Sequence, residues 1–367
     1  MSFRPEPPYA HGADPKVAVV LINLGTPDAP TTSAVRRYLK EFLSDPRVVE
    51  IPRAVWWCIL NLFILPFRPS RSAKKYASIW SDEGSPLKVH TEKQARLLGG
   101  YLGERGHQIT VVYAMRYGNP SVSSVLEKLK QDGCGKVLIL PAYPQYSAAT
   151  TASIFDAVFA YYSRTRNVPE LRFIKHYHDD AGYIQALRQS VLAQWAISGK
   201  SEKLVMSFHG VPRRTLKLGD PYHCECHKTG RLLAEQLGLK SDEYMVTFQS
   251  RFGKAEWLQP YTAPTLQRLA SDGVKSVDVI CPGFTSDCLE TLEEISIEAR
   301  HDFLNAGGNA FNYIPCLNEN DLWLRAMADL VESQTETWGT MLSPFEQEER
   351  QRQAQLSKEL ATLMGGE

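Results

Sequence analysis

Lys16-Val-Ala-Val-Val-Leu-Ile-Asn-Leu-Gly-Thr-Pro27 decides the fold, because a second segment, Lys203-Leu-Val-Met-Ser-Phe-His-Gly-Val-Pro212, answers it further along the chain. Both are largely β-branched or aliphatic runs that stop at a glycine followed two residues later by a proline. A short, nearly continuous apolar run predicts a strand buried on both faces, as in a parallel sheet. Further pairs follow in the same order. Val112-Tyr-Ala-Met-Arg-Tyr-Gly118 matches Thr247-Phe-Gln-Ser-Arg-Phe-Gly253. Leu129-Lys-Gln-Asp-Gly133 with Pro141-Ala-Tyr-Pro144 matches Leu269-Ala-Ser-Asp-Gly273 with Pro282-Gly-Phe284. The offset drifts only from 135 at the arginines (116 and 251) to 141 at the prolines (141 and 282). Amphipathic stretches at 121–131 and 263–271 lie between the strands. The expectation is an α/β protein of two similar halves, each a parallel sheet flanked by helices. Ligands of such folds sit outside the carboxyl ends of the strands, so the turns at Leu24, Tyr143, His209 and Phe284 should converge on a cleft between the halves.

The boundaries expected from this repeat are an unstructured segment 1–15, a first half 16–175 and a second half 176–315. A helix within 316–340 should pack back on the first half, and 341–367 reads as a charged helical tail. Lysine plus arginine and aspartate plus glutamate both number 41, so no bulk attraction to nucleic acid is expected. The polar, proline-bearing start lacks the apolar core of a secretory signal, and seven scattered cysteines fit reduced thiols and a cytoplasmic setting. No Gly-x-Gly-x-x-Gly follows the first strand and no Walker sequence occurs, which argues against a dinucleotide or nucleoside triphosphate site.

An apolar lip is expected at 54–67. Its run Ala54-Val-Trp-Trp-Cys-Ile-Leu-Asn-Leu-Phe-Ile-Leu65 would rise about 18 Å as a helix, against about 30 Å of hydrocarbon. It is too short to span a bilayer. Arg68, Arg71, Lys74 and Lys75 follow at once, so Trp56, Trp57, Leu60 and Phe63 are expected to touch a membrane surface. A buried core helix is the plainer alternative.

The chemistry is concentrated in two places. His209 ends an apolar strand in a Gly/Pro turn, where an imidazole can bind metal, move protons, or merely bond a backbone carbonyl. Phe284-Thr-Ser-Asp-Cys-Leu-Glu290-Thr-Leu-Glu-Glu294-Ile-Ser-Ile-Glu298 opens a helix with carboxylates at i, i+4 and i+8. In the plainer reading Asp287 caps that helix and Glu290 closes a capping box. Aligned Glu290, Glu294 and Glu298 would repel one another unless a cation or a basic partner neutralises them, or their face lies open to solvent.

Ser207-Phe-His-Gly-Val-Pro212, Phe284 through Glu294, Tyr143-Pro-Gln-Tyr-Ser147 and Asn23-Leu-Gly-Thr-Pro27, taken together, resemble the ferrochelatase family over 16–338. The resemblance implies two Rossmann-like, chelatase-type halves with the active site in the cleft between them. It also implies insertion of ferrous iron into protoporphyrin IX to give protoheme, the terminal step of heme biosynthesis, with release of two protons. His209 then matches the active-site histidine and Glu290 the facing glutamate, the pair for catalysis and metal. Glu294 and Glu298 match carboxylates of a metal path along a helix widened toward π geometry. Leu24, Arg116, Tyr146, Ser147, Trp257 and Phe284 match pocket positions. Where many relatives carry histidine, this chain has Cys288.

The expected chemistry is proton acceptance by neutral His209 while Glu290 holds iron; the reverse assignment stays open. No cofactor is required, since Fe(II) is a substrate. A 2Fe–2S cluster is not expected, because no cysteine cluster follows residue 316. His223-Cys-Glu-Cys-His227 reads as a loop entering a helix at Lys228, with adventitious zinc as the metal alternative. The apolar lip favours protoporphyrin over coproporphyrin, and hand-over from a membrane-bound, porphyrin-oxidising enzyme. The competitors are a cobalt or sirohydrochlorin chelatase, and a heme- or metal-transport module without turnover.

Overall fold

A computed structural model describes residues 3–8 and 11–365. It contains two four-stranded, wholly parallel sheets. The first pairs β1 (Lys16–Gly25), β2 (Ile109–Tyr117), β3 (Cys134–Pro141) and β4 (Glu170–Phe173) in the order β2-β1-β3-β4. The second pairs β5 (Lys203–His209), β6 (Tyr244–Gln249), β7 (Ser276–Ile280) and β8 (Ala310–Ile314) in the order β6-β5-β7-β8. The two orders are the same, so the sequence repeat is a repeat of topology. β1 and β5 are the central strands, which is why their runs are apolar on both faces.

In each sheet the chain steps from the central strand to one neighbour, then crosses to the other side. The crevice at that reversal lies between β1 and β3 in the first half, and between β5 and β7 in the second. The segments leaving these four strands are those around Leu24, Tyr143, His209 and Phe284. They meet across the halves: Thr285 Oγ1 donates to the Ala142 carbonyl (3.0 Å). Gln94, buried in the helix Pro86–Glu104, donates Nε2 to the carbonyls of Thr285 (2.8 Å) and Asn318 (2.7 Å). One apolar core runs through both halves, joining Leu21 and Leu138 to Met206 and Phe208 by way of Tyr183, Trp323 and Met327.

Gly25 closes β1 at φ +109°, and a Cβ there would sit 1.7 Å from the Tyr117 carbonyl oxygen, so only glycine fits. The segment after β3 and the segment after β7 both open into π-helical turns, Ala148–Ala152 and Glu290–Ala299. The helix Asp321–Thr335 packs against both Pro86–Glu104 and Ala181–Ser198. Arg4 and Glu6 differ from the expectation of an unstructured start. Arg4 pairs with Glu127 (3.2 Å) and Glu6 with Lys130 (2.5 Å), so oppositely charged partners hold this segment on the first half. The tail is helical over Pro344–Leu363, opened by a Ser343/Glu346 capping box.

The lip is one continuous helical stretch in three parts: Arg53–Ile59, a π turn Leu60–Ile64, and Leu65–Ile79. Pro66 and Pro69 lack backbone donors, and the wider turn directly before them is where the hydrogen-bond ladder is re-registered. Two of the four residues expected to face a membrane do not. Trp56 is 9% exposed and donates Nε1 to the Leu43 carbonyl (2.6 Å), while Leu60 is 3% exposed in the cluster around Tyr38 and Tyr76. One side of the helix therefore packs inward. Trp57 at 63% and Phe63 at 65% exposure lie on the open side, with Val55, Leu62 and Phe67 also exposed.

Candidate active site

His209 is the last residue of β5, in register with Gln249 at the end of β6. Its Nδ1 lies 2.6 Å from the Gly210 carbonyl oxygen. That oxygen can only accept, so the neutral ring carries its proton on Nδ1 and its lone pair on Nε2. The backbone contact anticipated as the plainer role of this histidine is thus present, and it orients the ring for use as a base or ligand. Trp257 and Phe284 each place a ring centroid 6.4 Å from that of the imidazole.

Gln249 ties the imidazole's strand to the carboxylates. Its Nε2 donates to the Glu290 backbone carbonyl (2.9 Å), and its Oε1 accepts from Ser207 (2.7 Å). Ser250 follows at φ +63°, a left-handed conformation costly for serine. That bend aims both its N–H (2.7 Å) and its hydroxyl (2.5 Å) at the Glu294 carboxylate. Burial pushes the Glu294 carboxyl up, the Ser250 bonds and nearby His209 pull it down, and the charge of Glu290 pushes it up again.

The expected capping box around Glu290 does not form. Asp287 instead accepts from Thr291 Oγ1 (3.0 Å), Asn318 Nδ2 (2.7 Å) and the Tyr313 hydroxyl. Its oxygens are occupied by these neighbours, and the helix opens as a π-helix at Glu290. The Cys288 thiol, two residues before Glu290, is held well above its usual range first by burial and then by the Glu290 charge. The phenols of Tyr38, Tyr76 and Tyr143 are likewise pushed far up by burial, with the Glu290 charge adding to it. The Tyr143 hydroxyl is buried without a hydrogen-bond partner. Arg68, one of the four cations after the lip, turns inward: it covers the Phe252 ring at 4.7 Å and feels the Glu290 charge. Leu24 packs in the same apolar cluster as Tyr38 and Leu289, the neighbour of Glu290.

The carboxylate row departs from α-helical spacing. Lys75 Nζ bridges Glu293 Oε2 (2.8 Å) and Glu298 Oε1 (2.7 Å), a pair five residues apart. A π-helix, with its i→i+5 repeat, brings such a pair together. Glu298 therefore stands at the outer end beside Glu293, a residue that α-helical counting puts on another face.

The remaining pocket positions are fixed by their own partners. Arg116 donates to Asp45 (2.6 Å) and Ser153 (2.7 Å), and its guanidinium lies 4.5 Å from the Tyr117 ring centre. Burial works against ionising Asp45, yet the donors Ser153, Arg47 N–H, Tyr117 and Arg116 together hold its carboxyl below the usual range. Tyr146 gives its backbone N–H to Glu225 (2.7 Å) and carries Lys175 over its ring. Ser147 bonds Asp220 (3.2 Å) and caps the π turn at Ala148. His223 through His227 form the first turns of the helix Tyr222–Gln236, not a loop, because Asp220 Oδ1 accepts the Tyr222 N–H (3.0 Å) and starts the helix there.

Sequence reasoning missed Tyr38, Tyr76, Lys75, Glu293 and Ser250. The tyrosines read as ordinary core residues. Ser250 had a signal: with Arg251 it repeats Met115-Arg116 of the first half.

The comparisons with known proteins show the family. Residues 16–335 match the family described as Ferrochelatase. The chain is 71% identical to the ferrochelatase of Janthinobacterium sp. (strain Marseille), and 70% identical to that of Herminiimonas arsenicoxydans, each over all of both chains. It is 54% identical to the ferrochelatase of Chromobacterium violaceum, covering 97% of both. Among solved structures, CbiX, the terminal enzyme for siroheme biosynthesis in denitrifying bacteria, aligns at TM-score 0.48 and 12% identity over 87% of this chain and 99% of that one, too low for the assignment to draw on. On the family match and these full-length identities, the chain belongs to the ferrochelatase family.

Proposed function

We propose that the crevice between the two sheets receives protoporphyrin IX, with His209 on one side of the ring and Leu24 on the other. The chain inserts ferrous iron into that porphyrin, releases two protons and yields protoheme, the last step of heme biosynthesis. One observation carries the assignment of roles: the half-buried Glu294 carboxyl lies within electrostatic reach of both His209 and Glu290. An imidazole from the second sheet's central strand and a carboxylate row from the helix after β7 therefore share one space.

The Nε2 lone pair of His209, fixed by the Nδ1 bond to Gly210, accepts a pyrrole proton. Glu290 receives the iron, with Glu294 and then Glu298 leading outward; imidazole and carboxylate both suit Fe(II). Cys288, a buried thiol near the Glu290 charge, stands where a histidine would offer a second base. Trp257 and Phe284 frame the imidazole, and Arg116, Tyr146 and Ser147 stiffen the opposite wall. A tight aromatic wall favours a bent ring through contacts made elsewhere on the macrocycle.

The family implies no required cofactor, and iron enters as substrate. An iron–sulfur cluster has no part in the reading, because no cysteine cluster follows residue 316.

Among the described residues no helix is long and apolar enough to cross a membrane. Trp57, Phe63 and their exposed apolar neighbours, with Arg71 and Lys74 exposed beside them, fit contact with an anionic membrane surface on the cytoplasmic side. Such contact suits delivery of a poorly soluble porphyrin by the preceding, porphyrin-oxidising enzyme. Anaerobic incubation with Fe(II) and protoporphyrin IX, followed by loss of porphyrin fluorescence, tests the activity. Coproporphyrin in competition tests the preference; faster turnover of coproporphyrin overturns it.

A further inference from the structure

A second constellation of metal-ligating groups lies away from His209 and Glu290, in the segment that follows β4. His176 and His178 are two residues apart, and their ring centroids lie 4.9 Å from each other. Tyr177 between them is buried, donating its hydroxyl to the Pro141 carbonyl (3.1 Å) and stacking on Trp323 at 5.5 Å. This anchor fixes where the two imidazoles point.

Glu225 meets them from the helix Tyr222–Gln236. One ligand atom from each of the three residues lies within 4.8 Å of the other two. Glu225 Oε1 is 2.7 Å from His176 Nδ1, and Oε2 is 3.4 Å from His178 Nδ1. The Tyr146 backbone N–H holds Oε2 in place (2.7 Å).

Two facts point to a ligand. His178 Nδ1 is buried and has no hydrogen-bond partner, an orphan that a bound group would satisfy. Glu225 is itself only 6% exposed, and among the described residues no lysine or arginine pairs with it. Lys228 is committed to Asp179 (2.5 Å), and Lys175 lies over the Tyr146 ring at 4.9 Å. A buried carboxylate requires a compensating charge, which here comes either from an imidazolium or from a cation among the three groups.

We infer that His176, His178 and Glu225 form a second site for a divalent transition-metal ion, zinc by preference, separate from the iron-insertion crevice. Two imidazoles and a carboxylate are a zinc donor set, and water completes the tetrahedron. Ligand distances of about 2.0–2.1 Å place tetrahedral donor atoms roughly 3.3 Å apart. The His178–Glu225 separation already meets this value. His176, the more exposed of the pair, has room to retreat by the remaining half ångström or so. The ion staples the segment after β4 to the helix after β5. This role is independent of how iron reaches the porphyrin.

The test uses the full chain, freed of metal and dialysed against zinc. His209→Ala first weakens the crevice as a competing site, and Glu225→Gln is added in that background; glutamine keeps the shape and the acceptor for Tyr146. The site predicts one equivalent of zinc fewer in the double variant. Equal zinc content in the two proteins overturns it and leaves an ordinary imidazolium–carboxylate cluster. Because Glu225→Gln perturbs a buried position, His176→Ala, at the exposed edge, gives a second reading. In the His209→Ala background, Co(II) should give ligand-field absorption that the added His176→Ala removes, and unchanged bands would again refute the site. Zinc at about a hundredfold its Kd should also raise the melting temperature of His209→Ala by roughly 5 °C, and this rise should vanish when Glu225→Gln is added.

Discussion

Ser250→Ala isolates one atom of the candidate site. The variant keeps the Ser250 N–H on Glu294 (2.7 Å) and deletes the hydroxyl at 2.5 Å. A hydrogen bond to a charged group contributes about 1.5–3 kcal/mol. Its loss falls only on the ionised form of Glu294, because the protonated carboxyl gains little from that donor. The direction follows: a carboxyl already raised by burial rises further. The population of ionised Glu294 in the acidic range then falls by roughly tenfold to a hundredfold. The groups facing it, His209 and Glu290, are unchanged. If an ionised Glu294 passes iron inward, the acidic limb of the rate profile moves to higher pH, and the alkaline plateau recovers to the wild-type rate. The assay is the anaerobic loss of protoporphyrin fluorescence with Fe(II), run from acidic to alkaline buffer. An equal loss at every pH, or a limb that does not move, would refute a role for Glu294 ionisation.

Three further outcomes are expected. Glu294→Gln removes a carboxyl whose folded-state pKa is raised, so ionising it destabilises the fold as pH climbs through that range. The variant should melt above the wild type at alkaline pH, match it in acid, and turn over more slowly; a lower alkaline melting temperature would contradict the burial argument. Lys75→Met frees the outer carboxylates Glu293 and Glu298 from a cation that competes with iron. The exposed Lys75–Glu298 pair contributes about 0.2–1 kcal/mol, so freeing Glu298 should lower KM for Fe(II) at low salt by no more than about fivefold with kcat unchanged. Trp57→Asp with Phe63→Asp should abolish sedimentation with anionic vesicles while leaving turnover of detergent-dispersed porphyrin intact, whereas Trp56→Phe should leave vesicle binding unaltered.

The sequence was most legible where one face of physics dominates. Unbroken apolar runs identified the central strands β1 and β5, and glycine–proline punctuation located the turns at their ends. The repeat then told which turns belong together, and four of them do converge at the reversal points of the sheets. Counting by α-helical periodicity failed where the helix is not α. The row at Glu290, Glu294 and Glu298 looked continuous, yet the wider turn couples Glu298 to Glu293 through Lys75. The same blindness affected the lip, where the apolar run hid which residues turn inward, as Trp56 and Leu60 do. Tyr38 and Tyr76 were illegible for another reason. They reach Glu290 from helices far away in the chain, and nothing in their local pattern separates them from core aromatics. Arg68, expected in a basic run beside the lip, instead covers the Phe252 ring and feels the Glu290 charge, contacts that its local pattern does not show.

The most direct test of the account is His209→Ala, assayed for iron insertion beside porphyrin binding. Removal of a positioned general base should lower kcat by about 10²–10⁴, while the absorbance shift on binding protoporphyrin persists with near-unchanged affinity. Wild-type turnover in that variant, or loss of porphyrin binding in step with loss of activity, would contradict the assignment of the proton to this imidazole.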